Sequence, residues 1–179
     1  MIKKDLMKNL YLLTLLILLS ATSCKKENIA KSDQYDTSYK AWVSYKTNIH
    51  NSYKYTISSG SWTGYGRATT TGINNGKIIS RDYVSFKSHN DGSGIVDTLK
   101  NWHENISNLN THGQEAGELM TIDDIYTQAR TVWLKADTKT NDIYFETDKN
   151  GLLSSCGFVP KGCQDDCFNG ITITSISTL

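Results

Sequence analysis

Three cysteines, Cys156, Cys163 and Cys167, fall within twelve residues and are interleaved with Asp165 and Asp166. Residues of this kind could form a disulfide, a redox pair or a metal site. A zinc site needs a fourth ligand, and neither His103 nor His112 stands at the spacing of a zinc knuckle. A reactive thiol pair normally reads Cys-x-x-Cys at a helix start, where the dipole activates the thiolate. Here the spacing is Cys-x₃-Cys, with no helix pattern following. A structural bridge is the remaining reading, and three cysteines allow three single bridges with one thiol left over. Cys156–Cys167 is the preferred pair, because it would tie the last two strands across their connecting loop. Cys163–Cys167 closes a ring too small to constrain the unfolded chain much.

Other candidate chemistry is thinner. Glu146-x-Asp148-x-Asn150-Gly151 begins like a calcium loop, but the closing ligand position, 157, is glycine. A hairpin turn explains the same residues. Gly92-Ser93-Gly94 is not a nucleophile elbow, and His103-Glu104 lacks the second histidine of a zinc-protease helix. No phosphate-cradling glycine loop is present. No metal or cofactor is implied, and the chain reads as a non-enzyme. The alternative is a thiol-redox or hydrolytic enzyme built on the C-terminal Cys/Asp cluster. Aromatics offer a binding function instead: Trp62 and Tyr65 lie among glycines, and Trp102 stands beside His103. Exposed aromatics of this kind stack on sugars or anchor proteins.

The elements that must position these residues are mostly legible. A first helix is expected from Asp36 or Thr37, with Trp42 and Ile49 on its buried face. Tyr53, Tyr55 and Ile57 alternate with polar residues, as a half-buried strand does. Residues 64–73 make a looser strand, and Asn74-Asn75-Gly76 turns it back onto Ile78–Phe86. Residues 95–104 read as a strand and 105–117 as irregular. Thr121-Ile122-Asp123-Asp124 approximates a capping box, and Ile122, Ile125, Tyr126, Ala129, Val132 and Trp133 form one apolar stripe. A second hairpin, 143–159 around Asn150-Gly151, and a strand from Ile171 to Ile176 complete the chain. These elements predict an α+β domain over 36–179, with two helices packed on one face of an antiparallel sheet. Helix-then-hairpin occurs twice, as a duplicated unit or as the stacking of similar units.

The N-terminal residues carry the second kind of information. Lys3 and Lys4 precede an apolar stretch, Leu10–Leu19, then Ser20-Ala21-Thr22-Ser23-Cys24. Ten residues span about 15 Å of helix, roughly half a bilayer core, so a permanent membrane anchor is disfavoured. The pattern resembles a bacterial lipoprotein signal peptide with its lipobox, with Ala21 where the commonest lipobox has leucine. That resemblance implies export, cleavage after residue 23 and lipidation of Cys24. An ordinary secretory signal is the alternative. Residues 24–35 follow as a lipidated cysteine and polar tether, whose eleven residues after Cys24 reach about 18 Å as a coil and about 36 Å stretched. The 19 basic and 18 acidic residues fall to 16 and 17 once Lys3, Lys4, Lys8 and Asp5 leave with residues 1–23. That near-neutral balance argues against nucleic acid as a partner. An exported chain meets an oxidising compartment, which favours one disulfide.

A looser resemblance rests on Trp102-x-Glu104, Asn110-Thr-His112, Thr121-x-Asp123-Asp124-x-Tyr126 and Cys163-x-Asp165-Asp166-Cys167-x-x-Gly170. This array is similar to small uncharacterised envelope lipoproteins of Gram-negative bacteria. It implies a lipid-anchored protein at the outer membrane, on the periplasmic or surface face, and brings with it no assigned activity. The partners it implies are the membrane, through the lipid, and an envelope protein or glycan.

Overall fold

The computed structural model describes residues 29–89 and 92–179. Residues 1–28, Cys24 among them, lie outside the described residues. In chain order the elements are α1 (Ser32–Asn48), β1 (Tyr53–Gly60), β2 (Tyr65–Asn74), β3 (Lys77–Ser88), β4 (Val96–Asn105), α2 (Ile122–Thr131), β5 (Asn141–Thr147), β6 (Leu153–Pro160) and β7 (Asn169–Thr178). Short 3₁₀ turns at Gly113–Ala116 and Trp133–Lys135 flank α2. The seven strands form one antiparallel sheet in the order β4-β3-β2-β1-β7-β6-β5. The class is therefore mixed α+β, as expected, but sheet makes up most of it.

Local chemistry accounts for the hairpins. Asn75 and Gly76 both adopt positive φ, 48° and 77°, the backbone that a two-residue turn between right-twisted strands demands. Asp148 Oδ1 accepts from the N–H groups of Asn150 and Leu152 at 2.8 and 2.9 Å, so the calcium-like residues of that stretch serve a turn.

Cross-strand rows show what the inner face of the sheet is made of. Tyr53 pairs with Ile73 in the first row. Two residues further along each strand lie Tyr55, Thr71, Arg81 and Glu104, and the next row is Ile57, Thr69, Tyr83 and Trp102. Both helices rest on this face. Trp42 of α1, fully buried, meets the Tyr53 ring edge-on at 4.9 Å, and the Ile122 N–H at the start of α2 donates to Tyr53 Oη. Asp123 ties the helices together by accepting from Trp42 Nε1 and from Lys46 Nζ. Tyr126 Oη shares a hydrogen bond with Ser38 Oγ at 2.7 Å.

Two expectations are corrected. Helix α1 begins at Ser32, inside the stretch read as tether, because Ile29 and Tyr35 are buried and the Ala30 N–H donates to Leu134 O. The cap residue, Lys31, makes no side-chain capping bond, so tertiary contacts set this start and an N-cap side chain does not. Val132 leaves the apolar stripe and is exposed, because α2 stops at Thr131 and the chain tightens into a 3₁₀ turn that redirects Trp133 and Leu134 inward. Thr121 caps α2 as expected, accepting from the Asp124 N–H while Asp124 Oδ2 accepts from the Thr121 N–H.

Candidate binding cleft

The inner face changes character row by row as its cover runs out. The helices cover the rows at one end, and residues 105–120 cover Arg81 and Glu104, which are respectively 1% and 0% exposed at their side chains. Burying such a pair demands that every remaining polar atom be met. Glu104 Oε2 accepts from Arg81 Nε at 3.0 Å and from the Asn110 N–H at 2.9 Å. Its Oε1 accepts from the His112 N–H and from His112 Nδ1. An ionised carboxylate only accepts, so Nδ1 carries the proton. Arg81 donates onward to Gly117 O. Burial pushes the Glu104 carboxyl upward, but the two N–H groups, the imidazole and the guanidinium outweigh it and hold the group down at about 2. Trp102 lies above this pair, stacked between Tyr83 at 5.0 Å and His112 at 4.2 Å, with Nε1 donating to Glu115.

The row beyond is polar: Ser59, Arg67, Ser85 and Lys100. Past it, Tyr65 pairs with Lys87. Among the described residues neither helix covers these two rows, and a cleft opens here because β7 changes partners along its length. Residues 169–172 of β7 pair with β6, whereas 173–178 pair with β1. Pairing of β1 with β7 ends at Ile57–Ile173, just after a register shift, so Ser58–Gly60 part from the neighbouring strand. The resulting cleft has a volume of about 800 Å³, with Ser59, Tyr65, Arg67 and Ser85 on one side and Asp166 and Phe168 on the other. A smaller cavity of about 120 Å³ adjoins it over Thr69, Ala116 and Gly117, sharing Ser59 and Arg67.

The far wall is held by the disulfide. Cys163 and Cys167 are joined, with Cα atoms 6.3 Å apart, in the loop between β6 and β7. This corrects the expected Cys156–Cys167 bridge. Cys156 faces inward from β6 as the cross-strand partner of Phe145 and Ile171, and it is a fully buried free thiol. Burial pushes that thiol up to about 12, which leaves it protonated and unreactive. Phe168 packs over the paired Gly157 and Gly170, where a Cβ on either would meet its ring and the facing backbone.

Trp62, on the turn between β1 and β2, is 79% exposed, and Tyr65 is 51% exposed with Lys87 Nζ 5.1 Å from its ring. These two predicted aromatics therefore stand at the cleft end of the hairpin. Trp102 does not join them: its faces are taken by Tyr83 and His112. The histidines also lie apart from the Cys/Asp cluster. His103 pairs with Asp82, His89 with Asp97 and His112 with Glu104. Reading the sequence missed Arg67, Ser59, Ser85 and Phe168. The available signal was strand phase, since Arg67 stands two residues from Tyr65 and Thr69 on the same face. The burial of Arg81 and Glu104 had no such signal.

Among the described residues, no helix is long and apolar enough to cross a membrane. Comparison with protein-family models, curated proteins and solved structures finds no match to this chain.

Proposed function

We propose that this chain is a lipid-anchored envelope protein whose folded head holds a saccharide in the cleft beyond Ile57 and catalyses no reaction. The anchor rests on the lipobox-like residues Ser20–Cys24. The binding role is carried by one observation: an open cleft of about 800 Å³ lined by serine hydroxyls and Tyr65, a size and mixture suited to a small ligand rich in hydroxyls. Tyr65 supplies a ring face for stacking and the serines supply donors and acceptors. In the same reading the two helix-plus-hairpin units, α1 with β1–β2 and α2 with β5–β6, descend from a duplication, and the cleft lies where the two halves part.

Two measurements test this reading. Mass spectrometry of the native protein should find acylated Cys24 as the first residue, and an unmodified cysteine or an intact Met1 removes the anchor. Titration of the purified head with neutral and charged oligosaccharides should show saturable binding that Tyr65→Ala weakens about fivefold, in line with about 1 kcal/mol for an aromatic contact. No binding by any of them, with a partner protein recovered from crosslinked envelopes, would replace the saccharide reading by a protein-binding one.

A further inference from the structure

Resting on that saccharide reading, we infer that the cleft selects an anionic sugar, one bearing a carboxylate or phosphate, which Arg67 seats with Lys87 beside it. The cations bordering the inner face divide into two groups. Arg81 is paired with Glu104, Lys100 with Glu115 and Lys46 with Asp123. Arg67 and Lys87 have no such carboxylate within ion-pair distance among the described residues. Arg67 lines the cleft opposite Ser85, and Lys87 stands in the next row, between Tyr65 and Asp97, where its ammonium borders the cleft beside Tyr65.

Arg67 is also oriented. Its Nε donates to Ser59 Oγ at 3.0 Å, which holds the guanidinium in place and leaves the terminal amines for a second acceptor. A planar fork held this way matches the two oxygens of a carboxylate or phosphate. Lys87, over the Tyr65 ring, adds a point charge beside the stacking surface. The far wall carries Asp166, an acceptor for sugar hydroxyls that also disfavours densely charged polymers. The fit is therefore to a sugar whose anionic group meets Arg67, with its hydroxyls toward the serines and Asp166.

The test is calorimetric titration of the intact head with a galacturonate trimer, a phosphorylated trisaccharide, a neutral galactose trimer and inorganic phosphate alone. A charge-assisted hydrogen bond predicts that at least one anionic trimer binds about tenfold or more tightly than the neutral one at low salt. That preference should shrink as salt is raised. Arg67→Gln should bring the anionic trimer down to the neutral trimer's level and Lys87→Gln should lower it less. Lys54→Gln, on the opposite face, should leave the preference in place. The two anionic arms decide between carboxylate and phosphate. Equal binding of all three trimers, or a preference that survives Arg67→Gln in a folded variant, overturns this inference and leaves the saccharide reading standing. Inorganic phosphate binding as tightly as the charged trimers also overturns it, since the sugar would then contribute nothing. No binding of any trimer removes both.

Discussion

Replacing Glu104 by glutamine should destabilise the protein by about 3–5 kcal/mol near neutral pH, because it leaves Arg81 buried with its charge uncompensated. The geometry makes the loss specific. Oε2 accepts from Arg81 Nε and the Asn110 N–H, while Oε1 accepts from the His112 N–H and ring. A glutamine offers one oxygen and one NH₂, so the donors on one side would face another donor and go unmet. Acid dependence gives an independent magnitude. The carboxyl's folded pKa is depressed from 4.5 to about 2, so its contribution is complete above the ordinary carboxylate range and is lost as pH falls through that window. That shift corresponds to about 3 kcal/mol, in line with the first figure. Urea unfolding of wild type and Glu104→Gln from pH 7 to pH 2 is the assay, with native far-UV circular dichroism as the entry condition. The gap between the two proteins should be widest above pH 5 and should close by most of its size toward pH 2. At neutral pH the variant should melt roughly 10 °C lower. Should Glu104→Gln fail to fold, Arg81→Met with Glu104→Gln should recover part of the stability by removing the orphan charge. A neutral-pH deficit below about 1 kcal/mol, or one that stays constant into acid, refutes the reasoning, because the pair would then contribute little to holding residues 105–120 down.

Three further outcomes follow from the same packing. Cys156 should not react with a thiol-specific chromogenic reagent in native buffer and should react fully in denaturant, and rapid native labelling would contradict its burial. Replacing Cys163 and Cys167 by serine should cost no more than about 2 kcal/mol in chemical unfolding, since the bridge spans a separation of only 4 residues, and a variant that cannot fold would show a larger role for it. Gly170→Ala should cost about 1–3 kcal/mol, because the added methyl meets Cys156 O, the Gly157 backbone and the Phe168 ring; a melting temperature equal to wild type would show that this crossing can relax.

Several elements were legible in the chain because their cause is local. Period-two alternation gives Tyr53, Tyr55 and Ile57 on β1 whatever they pack against. Asn75-Gly76 makes its turn because those residues tolerate positive φ. Thr121 and Asp124 cap α2 through bonds spanning three residues. The start of α1 was legible to no such rule, since Ile29 is buried in the core and the Ala30 N–H donates to Leu134 O, about a hundred residues away in the chain.

The cleft belongs to the same non-local class. By itself the sequence determined the strands, the turns, the second helix and a lipobox-like start, because propensity, periodicity and capping act over a few residues. Only tertiary structure decided which cysteines meet, that Arg81 and Glu104 are buried together, and that Trp102 is covered while Tyr65 is not. Those outcomes depend on the strand order and on the point where β7 leaves β6 for β1, and pairing between strands far apart in the chain leaves no mark on the spacing of residues along it.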